Sequence, residues 1–171
     1  MARVFSPDRI TAPRNWGLAL RAWGAAEAVA PVADRAAMRA EGQRAVYRWS
    51  EGLEEWFVND GRGLEHGYTV HRRPEGDGNT LRFELAVLGG LRPKVEAGDR
   101  DIRFVDDSGA TALTYGGLKA WDADGRVLDA RFEPAGGGFA LLVDAAGARY
   151  PLTIDPLAQQ GVSQSLQYRG Q

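Results

Sequence analysis

A chain of 171 residues with 44% hydrophobic and 26% charged side chains has the make-up of one ordinary globular domain, long enough to bury a core without staples. Its formal net charge of −2, from 21 basic and 23 acidic residues, supplies no field favouring nucleic acid or an anionic membrane. The absence of cysteine excludes disulfides, thiolate metal sites and thiol nucleophiles, and no apolar run reaches the roughly 18–20 residues of a membrane span.

The opening Met1-Ala-Arg-Val-Phe-Ser-Pro7 lacks the apolar stretch of a signal peptide, so the expectation is a mature fragment whose leader has been removed. Period-two patterning begins almost at once. Trp16, Leu18 and Leu20 share one parity, the mark of a strand facing a core. Residues Ala33 to Glu41 then break the pattern: they are rich in helix formers, follow Pro31 and precede Gly42, a plausible helix C-terminal cap. One or two turns of helix, or a loop, are expected there.

Two further strand runs follow, Val46 to Trp49 and Leu53 to Val58. Tyr47 and Trp49 share the face opposite Val46 and are the best candidates for an exposed aromatic pair, whereas Trp56 shares parity with Val58 and is expected in the core. Asn59-Asp-Gly-Arg-Gly63 marks a turn, with Asn59 and Asp60 tolerant of left-handed backbone. Leu81, Phe83, Leu85 and Val87 alternate with polar or small residues, as do Ile102 and Phe104. The runs Val127 to Phe132, Phe139 to Val143 and Tyr150 to Ile154 complete the set, and Gly/Asp turn signals separate them about every ten residues. The fold class that follows is all-β, an antiparallel β-sandwich with short hairpins and at most one short helix. Pro156 has no N–H to continue a ladder, so the domain is expected to span residues 1–156, with 157–171 a polar, glutamine-rich tail or linker.

Candidate chemistry is sparse. Asp60 and Glu65 flank a turn and could approach as a carboxylate pair of the glycosidase kind, but Asp60 shaping the turn and Glu65 pairing with Arg62 explains them as well. Glu54 and Glu55 are adjacent on one strand and point to opposite faces, and the odd spacing of His66 and His71 separates them likewise. Asp122, Asp124 and Gly125 resemble the start of a calcium loop, yet a strand run occupies the later ligand positions, so a hairpin turn is the simpler reading. No serine lies in a G-x-S-x-G elbow, and no glycine-rich phosphate loop joins a strand to a helix. Tyr47, Trp49 and Trp121 are the candidate ligand-binding aromatics, for a polysaccharide; no catalytic residue, metal or cofactor is expected.

Four segments taken in order resemble a known module. Leu53-Glu-Glu-Trp-Phe-Val-Asn-Asp-Gly-Arg-Gly-Leu-Glu-His-Gly-Tyr68 matches an acidic-Trp-aromatic strand, a turn and Gly-Leu-Glu-x-Gly-aromatic; within it Trp56, Asn59, Gly63, Glu65 and Gly67 form the structural turn motif. Leu81 to Arg92 matches a long strand with a small-residue turn, Tyr115 to Arg126 a Tyr-x-Gly-Leu-x-Ala-x-Asp-x-x-Gly hairpin, and Tyr150-Pro-Leu-Thr-Ile-Asp-Pro156 a terminal strand. Together they resemble the N-terminal β-rich module found upstream of FG-GAP and other β-propeller-type repeats in large bacterial cell-surface proteins. That resemblance implies a non-enzymatic structural or interaction module, extracellular or at the cell surface. It implies that downstream repeats or neighbouring subunits are its partners, and it leaves open a carbohydrate-binding or self-assembling role.

Overall fold

The period-two runs become strands in the computed structural model, which describes residues 17–33, 36–60 and 63–160, and of residues 59, 60, 63, 64 and 157–160 the backbone alone. The strands are β1 (Gly17–Ala25), β2 (Ala30–Pro31), β3 (Ala37–Glu41), β4 (Arg44–Ser50), β5 (Leu53–Asp60), β6 (Gly63–Val70) and β7 (Thr80–Leu88). They continue with β8 (Arg92–Val95), β9 (Ile102–Val105), β10 (Thr111–Trp121), β11 (Val127–Leu128), β12 (Ala130–Ala135), β13 (Gly138–Asp144) and β14 (Leu152–Gln160). The only helical element among the described residues is a 3-10 turn, Ala26–Ala28.

All pairings are antiparallel and make two sheets packed face to face, so the fold is the expected β-sandwich. The smaller sheet runs β12-β13-β7-β1-β2, and the larger β3-β4-β5-β6-β14-β10-β9-β8, with β11 added beside β10. Alternation sets the core. Leu18, Leu20, Phe83, Leu85, Phe139 and Leu141 face inward from the smaller sheet, and Tyr68, Val70, Phe104, Leu113, Tyr115 and Ile154 from the larger. Phe83 stacks on Tyr68 across the gap at 4.7 Å between ring centroids, and Phe132 and Phe139 lie 5.6 and 5.8 Å from Tyr115. Each such buried ring contributes about 1.5–3 kcal/mol by burial, before the offset and edge contacts between rings.

Three expectations are corrected. Residues 37–41 are not helical: they pair with β4, and Gly42, at φ +62°, turns a two-residue hairpin instead of capping a helix. Pairing with β4 outweighs their local helix preference. The last strand does not stop at Pro156. It continues to Gln160, because the partner strand accommodates the missing N–H. Gly116 pairs with Leu157 and Lys119 with Asp155, so two residues of β10, Gly117 and Leu118, stand opposite Pro156. This is a β-bulge with Gly117 at φ +65°, and the Gly117 N–H donates to Asp101 Oδ1 at 2.9 Å. The sandwich therefore extends at least to Gln160; residues 161–171 of the expected tail, and Trp16, lie outside the described residues.

The third correction concerns the tryptophans. Trp49, expected to be exposed, is 8% exposed and faces inward with the half-buried Tyr47, which meets Phe57 edge-on at 5.7 Å. Trp56 is buried, at 4% exposure, but on the outer face of the larger sheet and apart from the central core. Parity places Trp49 with Tyr47, and Trp56 with Val58, but does not say which face is the inner one.

Candidate functional site

The register of the β5–β6 hairpin builds the one polar cluster in the core among the described residues. The two strands pair down to Asp60 against Gly63, which sets Glu55 opposite Tyr68 and Phe57 opposite His66. Leu53, Glu55 and Phe57 share the inward face, so the glutamate is carried into the core by its apolar neighbours. Glu55 and His66 are both 0% exposed.

The carboxylate is held from two sides. Trp49 Nε1–H donates to Glu55 Oε1 at 3.1 Å, and His66 Nε2 lies 2.8 Å from Glu55 Oε2. On the other side of the imidazole, Nδ1 lies 2.5 Å from the Tyr115 hydroxyl on β10. A neutral imidazole protonated at Nε2 satisfies every contact: it donates to Glu55 and accepts the Tyr115 O–H. Phe57 stacks on the histidine ring at 4.6 Å and 4°, and Tyr68 meets it edge-on at 5.0 Å.

Tyr68 Oη is buried with no hydrogen-bond partner, and Glu55, its direct neighbour on β5, acts on it chiefly through charge. Burial first, and then the Glu55 carboxylate, hold the Tyr68 and Tyr115 hydroxyls well above the ordinary tyrosine range. Carboxylate, imidazole and hydroxyl stand in the order of a nucleophile triad. Here the hydroxyl is held protonated and all three side chains lie inside the sandwich, so the arrangement, with Trp49, joins β4, β5, β6 and β10 by a buried chain of hydrogen bonds.

The outer face of the larger sheet carries the other residues singled out by sequence. Trp56 lies over Gly67, its direct cross-strand neighbour; its indole N–H donates to Thr69 Oγ1 at 3.2 Å, and the Arg44 guanidinium sits 4.6 Å above the ring. Gly67 is thus a mid-strand glycine and not a turn residue. A Cβ there would collide with the Trp56 ring and the Ile154 carbonyl oxygen. Glu54, on the face opposite Glu55, accepts from Arg39 at 3.1 Å and stands 3.6 Å from His71 Nε2; Arg39 foremost holds it below the usual carboxylate range.

Tyr47, Trp49 and Trp121 do not converge. The first two face inward on β4, whereas half-buried Trp121 pairs with Thr153 and Val127 on β10. Asp60 and Glu65 are not resolved as a pair: the side chains of Asp60, Asn59 and Gly63, and all of Arg62, lie outside what is described, and Glu65 is half-buried and engaged with another group.

The Asp122 carboxylate is consumed by its own turn. Oδ1 accepts the backbone N–H groups of Asp124 and Arg126 at 3.0 and 2.9 Å, and Oδ2 that of Arg149 at 3.1 Å. Asp124 is paired with the Arg149 guanidinium. Among the described residues no three His, Cys, Asp or Glu side chains gather as a metal site. The Arg149 N–H first, then those of Arg126 and Asp124, hold the Asp122 pKa below its usual value against the opposing effect of burial. A depressed carboxylate stabilises the fold above its ordinary pKa and ceases to do so as pH falls through the lowered one. Asp122→Asn is therefore expected to lower the melting temperature at about pH 7, and the difference from the wild type to shrink as pH falls from the ordinary carboxylate range through the lowered pKa. Equal melting temperatures at neutral pH would show that the carboxylate charge contributes nothing.

Sequence alone weighed Glu55 against Glu54 and His66 against His71, and joined Glu55 and His66 neither to each other nor to Tyr115. Parity with Leu53 and Phe57 was the available sign that Glu55 is buried. A small cleft near Tyr150, lined by Arg73, Asn79 and Leu81 among others, has room for about one water molecule. No family model matches the chain, and no curated protein or solved structure compared with it does.

Proposed function

We propose that this chain is a non-catalytic β-sandwich module of an extracellular or cell-surface protein, one that spaces or binds its neighbours. The observation that carries the reading is the sealing of its one acid–base cluster: Glu55 and His66 are 0% exposed, enclosed by Phe57, Tyr68 and Tyr115. A general base must come within hydrogen-bond reach of its substrate, directly or through one water. Carboxylates outside this cluster, by contrast, serve turns and ion pairs, as at Asp106, Asp122 and Glu54.

The location and the partners, downstream repeats or neighbouring subunits, rest on the likeness of the four ordered motifs to modules that precede FG-GAP-type repeats. Sugar recognition by Tyr47, Trp49 and Trp121 is not favoured, because those rings lie on different faces.

The catalytic half of the reading is tested by incubating the purified protein with panels of glycosides, esters and peptides. No turnover is expected. Turnover abolished by Glu65→Gln or Glu55→Gln, with circular dichroism unchanged, would overturn it. The location is tested by protease shaving of intact source cells. Cleavage of the domain is expected, and full protection would refute a surface address.

A further inference from the structure

An unpaired strand edge presents a row of N–H and C=O groups to any strand that approaches, and terminal strands are commonly blunted by proline. Among the described residues three edge strands carry one: Pro31 in β2, Pro134 in β12 and Pro93 in β8. Two have none: β11, a two-residue strand beside β10, and β3, which reads Ala37-Met-Arg-Ala-Glu41 and is long enough to template a partner strand. No strand among the described residues lies beyond it, and all of its residues are exposed. Met38, at 62% exposure, is one of two large apolar side chains left open to solvent among those residues.

The β3–β4 hairpin fixes which backbone groups face outward. Its loop is Gly42-Gln43, with Gly42 at φ +62° in the first loop position, as a type II′ turn requires. A two-residue loop closes on a hydrogen-bonded pair, here Glu41 and Arg44. Alternation along the ladder then turns the N–H and C=O of Arg39 toward β4 and those of Ala40 and Met38 toward the free edge.

We propose that a second copy of this chain pairs antiparallel with β3, with the two Ala40 residues facing each other across a two-fold axis. Each Ala40 N–H then donates to the Ala40 C=O of the other copy. One step along, Arg39 of each copy stands opposite Glu41 of the other on the same face, in the closer, non-hydrogen-bonded type of pair. Within one chain Arg39 already holds Glu41 at 2.6 Å and Glu54 at 3.1 Å; in the pair each guanidinium also faces the Glu41 of the other copy, so both ends of the interface are charge-complementary. A symmetric register centred on Arg39 would instead set the two guanidinium groups against each other. Met38, on the inner face with Tyr47, falls opposite Gly42 of the second copy and loses exposure. An interface of one short strand pair is small, so the dimer exchanges with monomer. This pairing deepens the interaction-module reading by naming a partner, and it is measured separately from turnover, so that either can fail alone.

The test is sedimentation velocity on the full chain from micromolar to millimolar concentration. The average mass is expected to rise toward that of a dimer, and less so at high salt. Ala40→Pro removes the outward N–H, leaves the β4 bonds in place and abolishes association. Glu41→Lys, at an exposed position, keeps the fold and sets cation against Arg39 of the second copy; Arg39→Glu sets anion against anion. Each weakens the dimer by about tenfold or more. Mixing those two variants restores association, because the cations of one then face the anions of the other. A wild type that stays monomeric throughout, leaving the edge to residues 1–16 or to a foreign peptide, overturns the proposal. So does a dimer indifferent to Ala40→Pro and to both charge reversals, or a mixture that fails to associate.

Discussion

His66→Leu is expected to lower the free energy of unfolding by about 3–5 kcal/mol, read from urea melts at neutral pH. The imidazole is the partner of a Glu55 carboxylate that is 0% exposed, and its other nitrogen takes the Tyr115 hydroxyl at 2.5 Å. Leucine fills a similar space but leaves Glu55 with the Trp49 N–H alone and Tyr115 with no acceptor on the histidine. The carboxylate must then either stay charged in an apolar site or take up a proton to become neutral. Removing the pair together behaves differently. In Glu55→Leu/His66→Leu no buried charge remains, so much of the loss is expected to return, less what the unpaired Trp49 and Tyr115 groups cost. A single variant within about 1 kcal/mol of the wild type would mean that water or substrate reaches Glu55, and would revive a catalytic reading of the cluster.

Parity with Leu53 and Phe57 was the one sign in the sequence that Glu55 faces the core, and the register that pairs Asp60 with Gly63 sets Phe57 against His66. Tyr115 had no such sign, because it comes from a strand 49 residues beyond His66 in sequence, and no local pattern ties the two. The same limit hid β10 itself. No period-two run announced it, and its Gly117 belongs to a bulge that only Pro156 across the sheet explains. Half-buried strands such as Leu81 to Val87 were plain, since alternation needs no knowledge of the partner. Alternation is silent on which face is inner. Tyr47 and Trp49 share a face as expected, but it is the core face, and Trp56 lies outside it. For residues 37–41, helix-forming composition was overruled by hairpin pairing with β4 across the Gly42-Gln43 turn, a preference that composition does not reveal.

Trp56→Ala is expected to cost about 3 kcal/mol, near the low end for truncating a buried large aromatic, because the indole is covered on one side by sheet and on the other by a single Arg44 side chain. Beneath the ring, Gly67 is bare so that the indole can lie on the backbone, and the ring in turn shields a glycine that packs nothing of its own. The two positions must therefore be coupled. Gly67→Ala alone is expected to cost about 1–3 kcal/mol, since the new methyl meets both the ring and the Ile154 carbonyl oxygen, and neither can retreat far. In the Trp56→Ala background the ring is gone and only the carbonyl conflict remains. The double variant should then lose less than the sum of the single losses by about 1 kcal/mol or more. Strict additivity would show that the ring does not rest on Gly67. A loss below about 1 kcal/mol for Trp56→Ala itself would show that the ring contributes little burial. The outer face would then present an indole flanked by Arg44 and Thr69, the kind of surface on which a sugar ring can stack, and polysaccharide binding would return as the better account of the domain.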